Sequence, residues 1–128
     1  MKVTSDRKIV FIFGNPDLEI DSLPVKMMPK LRQTFPDISF EIKDPNEEWD
    51  VPEELTVIDT VMGLDEVTVF NDLESFDSSP RLTMHDFDAL ANLKYLKKLG
   101  KLKRIKIIGV PMDIKIDMAF ESIVKQLR

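Results

Sequence analysis

The chain contains no cysteine, which removes disulfide bridges, thiolate metal sites and cysteine nucleophiles together. It has a single histidine, His85, so any chemistry that needs an imidazole must use that residue. Glycine is scarce, at four residues, and no Gly-x-Ser-x-Gly elbow occurs to mark a serine nucleophile. Basic residues are outnumbered, 18 against 23 acidic ones, and the formal charge of -5 argues against nucleic acid or an anionic membrane as partner. Long apolar runs are absent too. The stretch Ile9 to Phe13 is too short for a signal-peptide core, and nothing approaches the roughly 20 apolar residues of a membrane span. A cytoplasmic address and no membrane association are therefore expected.

What remains is sufficient for a folded unit. With 128 residues, 43% of them hydrophobic, the expectation is one domain, residues 1–128, with one core. A chain of this size removes roughly two thirds of its unfolded surface from water. A monomer is expected.

Lys8 to Phe13 is a continuous apolar run closed by Gly14-Asn15, the pattern of a strand buried on both faces of a parallel sheet. From Ser22 to Phe35, Val25, Met28, Leu31 and Phe35 recur at helical spacing behind Asp21 as N-cap, while Pro29 should kink or restart that helix. Asp37 to Asp44 alternates with period two, which suits a strand near the sheet edge. Pro45 to Glu54 is acidic, holds two prolines, and is expected to be a surface loop carrying the lone Trp49.

Leu55 to Thr60 forms a second buried strand, and Val67 to Leu73 follows so closely that the two are candidate hairpin partners. Glu74 to Leu82 suits a loop. Thr83-Met-His-Asp86 has capping-box spacing, and the helix it opens runs to Leu99 with Gly100 beyond it. Lys97 and Lys98 in its last turn complement the dipole, and a helix end plus a connection account for the basic run Lys94 to Lys106. A last strand at Ile105 to Val110 and an amphipathic helix at Asp117 to Leu127, with Met118, Ile123 and Leu127 apolar, complete the chain. Alternating strands and helices specify an α/β fold: a three-layer α/β/α arrangement around a mostly parallel, twisted five-stranded sheet with one antiparallel strand and helices on both faces.

In such sheets ligands bind at the carboxyl ends of the strands. Asp59 ends a strand, while Asp21 and His85 begin helices reached from strand ends, so the topology can gather all three at one edge. Two carboxylates and one imidazole suit a divalent transition metal such as nickel or zinc, with coordination positions left open. The first helical turn favours neutral, metal-binding imidazole at His85. Each residue also has a plainer explanation: Asp21 as a helix cap, Asp59 as a strand end in solvent, His85 as a packed or exposed side chain. The Gly14-Asn15-Pro16 turn is a poor phosphate loop, because Asp17, Glu19 and Asp21 follow it.

Gly14-Asn15 with Asp21 six residues on, Val25-Lys26, the strand end Val57-Ile58-Asp59, His85 opening a helix, and Ile107-Ile108-Gly109-Val110-Pro111 together resemble the nickel-iron hydrogenase maturation endopeptidases, from about Lys8 to Leu127. The resemblance implies an enzyme, a peptide-bond hydrolase that removes a C-terminal extension from the precursor of a nickel-iron hydrogenase large subunit. Asp21, Asp59 and His85 would be its catalytic and metal-recognising residues. The nickel would arrive with the substrate, or zinc or another divalent metal would take its place. Asp59 or Asp21 acting as a general base would make it an aspartyl protease. Asp44 and Asn15 fall at substrate-recognition positions. The chain departs from the family pattern at Ile12, at Ile20 and at Pro45-Asn46, where a glycine-rich turn is usual. The last change favours an alternative: a non-catalytic metal-sensing or client-binding relative of the same fold.

Overall fold

The structure, a computed structural model, describes residues 8–13, 23–44, 49–61, 63–77 and 84–128, with the backbone alone for 84–87. The elements in chain order are β1 (Lys8–Phe13), α1 (Leu23–Thr34), β2 (Ile38–Lys43), β3 (Glu54–Thr60), β4 (Thr68–Phe70), α2 (Leu73–Asp77), α3 (Met84–Lys98), β5 (Arg104–Val110) and α4 (Ile116–Leu127). Five strands form one sheet in the order β2-β1-β3-β5-β4. The first four are parallel, and β4 runs antiparallel to β5.

Alternation along the strands divides the core into two halves, one on each face. Val10 and Ile12 of β1, Ile58 of β3, and Ile108 and Val110 of β5 meet Met27, Met28 and Leu31 of α1 and Ala119, Ile123 and Leu127 of α4. Their neighbours Phe11 and Phe13, Leu55 and Val57, and Ile105 and Ile107 point the other way. There they meet Leu73 and Phe76 of α2 and Ala89, Leu90, Leu93 and Leu96 of α3. Each fully buried aliphatic side chain contributes roughly 1.5–3 kcal/mol, so a one-residue register slip in β1 or β3 would reverse both half-cores at once. The expected three-layer α/β/α architecture is present.

The crossovers that carry α1 and α3 run on opposite faces and in opposite directions, so they share one hand, and the right-handed sense is the one that strand twist favours. From β1 the chain moves outward through α1 to β2; from β3 it moves the opposite way, through α3 on the other face, to β5. The direction of winding thus reverses between β1 and β3.

Several details differ from the sequence expectation. The strand after Thr60 is shorter than Val67 to Leu73 and is no hairpin partner of β3. Both flanks of β3 are filled, by β1 and β5, and β4 joins the outer side of β5, with Thr68 opposite Gly109 and Phe70 opposite Ile107. Glu74 to Asp77 is helical, not loop; the Ser75 amide donates to Asp72 Oδ1 at 2.7 Å and opens α2. Helix α1 passes through Pro29 as one element. Pro29 is exposed, so the Val25 carbonyl that loses its donor lies toward water. Met118, expected in the apolar stripe of α4, is 58% exposed.

Trp49 departs most from its expected surface position, with 6% of its surface exposed. Its ring stacks on Phe13 at 5.2 Å between centroids and meets Phe11 edge-on at 5.9 Å. The indole N–H donates to the Asp44 carbonyl at 2.9 Å. Among the described residues it is this indole that packs on β1 at this face.

The end of α3 follows its sequence signal. Gly100 takes φ 78°; its N–H donates to the Lys97 carbonyl and that of Lys101 to the Leu96 carbonyl, a Schellman closure. The chain then turns into β5, where the Lys103 and Arg104 amides both donate to the Glu53 carbonyl. Among the described residues no helix is long and apolar enough to cross a membrane.

Candidate active site

The winding reverses between β1 and β3, and in open α/β sheets the usual ligand position is at the carboxyl ends of the strands at such a point. Asp59 is the penultimate residue of β3, and it does not end the strand in solvent. It is 2% exposed in a strand buried from Leu55 onward. Alternation places it with Leu55 and Val57, on the face covered by α3. A carboxylate removed from water is costly unless hydrogen bonds, a cation or a metal compensate it, so a buried acid at this position demands a functional or structural reason. Thr60, 4% exposed, turns to the opposite face, and its Oγ1 has no hydrogen-bond partner among the described residues.

Opposite Asp59 in register stands Gly109 of β5. A Cβ at that position would lie 2.9 Å from Phe70 Cε2, 3.0 Å from Leu64 Cδ1 and 3.2 Å from Val61 Cγ2. These three apolar groups therefore close over the strand directly beside the acid, where they exclude water from one flank. Gly109 is a packing requirement of the site that its place in a sequence motif does not explain. The signal was the glycine itself, inside a strand of otherwise large residues.

His85 is the second residue of α3. The closure at Gly100 and the bonds to Glu53 place the far end of this helix at the amino ends of β3 and β5. Fifteen helical residues span about 22 Å, and the seven residues of β3 span about 23 Å. Helix α3 is therefore about as long as β3. The His85 side chain lies outside the described residues, as do Asp21 and Asn15, which fall between the end of β1 and the start of α1. Asp59 is thus the one member of the trio with a described side chain. Among the described residues no three histidine, aspartate or glutamate side chains converge as a metal site.

Asp44 follows β2 directly and is exposed. Its described role is through the main chain, whose carbonyl holds the Trp49 indole. That bond could be made by any residue, so it does not explain an aspartate there.

Comparison of the sequence with protein-family models and with curated proteins finds no match. Comparison of the structure does. The hydrogenase maturating endopeptidase HybD from E. coli superposes with a TM-score of 0.64 at 16% identity, over 94% of this chain and 92% of that one. A hydrogenase 3 maturation protease superposes with a TM-score of 0.67 at 18% identity, over 97% and 91%. This is the fold of the hydrogenase maturation endopeptidases. An endopeptidase from Escherichia coli gives 0.61 at 17% identity, over 92% and 88%. The expected α/β class and the resemblance to this protease group are therefore borne out at the level of fold, with the mixed five-stranded sheet in common. Coverage near nine tenths in both directions means that the chain matches the maturation-endopeptidase fold end to end.

Proposed function

We propose that this chain is a processing endopeptidase that removes a C-terminal extension from the nickel-loaded precursor of a hydrogenase large subunit. The observation that carries the reading is Asp59, a carboxylate 2% exposed at the carboxyl end of β3, in a chain with the maturation-endopeptidase fold. Supporting it is the order of the chain, in which His85 falls in the first turn of α3, the helix of the crossover from β3 to β5.

In this reading Asp59 supplies a hard oxygen donor, and Asp21 and His85 supply a second carboxylate and an imidazole. The metal belongs to the substrate and reports that the precursor is loaded. Two carboxylates and one imidazole leave coordination positions for the substrate's own ligands. When bound beside the scissile peptide, such a metal polarises its carbonyl or lowers the pKa of a water. The apolar wall of Phe70, Leu64 and Val61 keeps one side of Asp59 dry, which strengthens every electrostatic interaction the carboxylate makes.

The test is cleavage of purified, nickel-loaded precursor by the wild-type chain and by Asp59→Asn, Asp21→Ala and His85→Ala. Wild-type cleavage that all three substitutions abolish, with melting temperatures held, is the expected result. Retained cleavage by any of the three would refute the assignment of that residue. Stable binding of the precursor without cleavage by the wild-type chain would instead establish the non-catalytic, client-binding alternative.

A further inference from the structure

Strand β2 is an edge of the sheet, with β1 on one side and, among the described residues, no strand on the other. The outward N–H and C=O groups of an edge strand can pair with another chain, and folded proteins usually guard them. Two hydrogen bonds show which residues of β2 face outward. The Ile38 N–H donates back to the Phe35 carbonyl, and the Phe40 carbonyl accepts from the Arg32 guanidinium at 3.2 Å. Main-chain groups alternate sides along a strand, so Ser39, Glu41 and Lys43 serve the ladder to β1 while Ile38, Phe40 and Ile42 face out.

The guard covers only half of this edge. The Phe35 carbonyl and Arg32 close the amino half, whereas among the described residues nothing bonds the Phe40 N–H or the N–H and carbonyl of Ile42. A lysine is a common guard, but Lys43 is turned over the Phe11 ring, 5.2 Å from its centroid, and is held by Glu41 at 3.2 Å. Ile42 is 44% exposed, an apolar side chain left at the open half. The open half is also the half nearest Asp59. Ile42 is level with Ile12 of β1, and Ile12 with Ile58, the residue before Asp59.

We infer that the open half of β2 takes the C-terminal extension of the precursor as an added antiparallel strand. This rests on the proposed endopeptidase role. The chemistry selects the occupant: a row of main-chain donors and acceptors is matched by the main chain of an extended peptide, and a chain tail is the part of a folded substrate free to extend. The extension begins at the scissile bond, at the carboxyl edge, so it runs toward the amino ends of the strands and antiparallel to β2. Ile42 then exchanges both its hydrogen bonds with one guest residue, and the Phe40 N–H donates to the carbonyl two residues further on. An apolar side chain on the residue opposite Ile42 packs against it. The guest is the third strand out from β3, about 14 Å away at roughly 4.8 Å per strand. Extended chain covers about 3.3 Å per residue, so about four residues separate the scissile bond from the residue paired with Ile42.

The test uses the full chain and nickel-loaded precursor. Ile42→Pro removes an outward N–H and sets a ring against the guest, while the ladder to β1 stays whole. Its KM for the precursor should rise about tenfold or more with kcat little changed, because the lost contacts lie away from the reacting bond. Ile42→Val, which keeps the N–H, should match the wild type. A precursor whose extension is cut to about three residues lacks the paired segment, so it should show the same raised KM with the wild type and no further rise with Ile42→Pro. A second readout needs no change in the strand: in the complex of precursor with Asp59→Asn, the Phe40 and Ile42 amides should exchange with solvent at least about tenfold more slowly than in the free protein. Unchanged KM in a folded Ile42→Pro protein, or unchanged exchange at these two amides with precursor bound, overturns the inference and leaves the protease reading intact. A wild-type chain that does not cleave the precursor overturns that reading and this inference with it. A concentration-dependent dimer that Ile42→Pro dissolves, with KM unchanged, overturns the inference in favour of a second copy at this edge.

Discussion

Replacing Gly109 by alanine adds one methyl group beside Asp59, and the structure sets what that should cost. The new carbon would sit 2.9 Å from a ring carbon of Phe70, 3.0 Å from Leu64 and 3.2 Å from Val61. Val61 is 0% exposed and Phe70 8%, so neither can swing into solvent. Leu64 is only partly buried and can yield. Overpacking of this kind costs about 1–3 kcal/mol. It is offset by about 0.4–1 kcal/mol, because alanine restricts the unfolded chain more than glycine does. The midpoints of these two terms give a net loss of about 1.3 kcal/mol, and the extremes a loss of about 2.6 kcal/mol at most. With an unfolding entropy of about 2.1 cal/mol/K per residue over 128 residues, that corresponds to a fall in melting temperature of about 5 °C, and about 10 °C at most.

Differential scanning calorimetry of Gly109→Ala measures the loss, and the same substitution in a Phe70→Leu background tests its cause. Removing the ring edge should relieve part of the strain, so the two changes should couple by at least about 0.5 kcal/mol. A Gly109→Ala protein as stable as the wild type, or strict additivity with Phe70→Leu, would refute the argument that this contact requires glycine.

Three further outcomes are expected. Asp72 holds the first turn of α2, and the Ser75 amide that donates to it lowers its pKa from the ordinary 3.8. A depressed carboxylate stabilises the fold above its unfolded pKa and ceases to do so as pH falls through the folded one. Asp72→Ala should therefore lower the melting temperature at neutral pH and show a smaller loss than the wild type when acidified below about pH 3.8 in melts across that range. Thr60→Val replaces a buried hydroxyl lacking a described partner with an isosteric methyl, so urea unfolding should show equal or greater stability, by up to about 1 kcal/mol; a clear loss would mean that the hydroxyl is bonded. Arg32 donates from its guanidinium to the Phe40 carbonyl of the edge strand β2 at 3.2 Å, so Arg32→Ala should increase concentration-dependent association in sedimentation experiments by exposing that edge.

The strands and long helices were legible because their signals are local. An apolar run between breakers marks β1 and β3, and the turn residue Gly100 marks the end of α3. Pairing was not legible. The short distance between β3 and β4 suggested a hairpin, but which flank of β3 is available depends on β5, which is far downstream in the sequence. Trp49 was misplaced for a similar reason. Its acidic, proline-bearing neighbours have the composition of a surface loop, yet the aromatic faces that bury it belong to β1. Asp59 was legible as a candidate site residue because an acid closes an apolar run. Its burial was not, since that depends on what packs beside Gly109. The idea that Asp21 and His85 join it came from order along the chain, and their side chains lie outside the described residues.

Because β3 is flanked by a strand on each side and covered on both faces, its amides should be among the last to exchange with solvent, opening only when the whole domain unfolds. Asp59 therefore has no local route of escape. Under the proposed function, a partner arriving at the carboxyl edge would meet a carboxylate whose position is fixed by the global stability of the protein. Any adjustment needed for recognition would then come from the partner, with the acid as its fixed reference point.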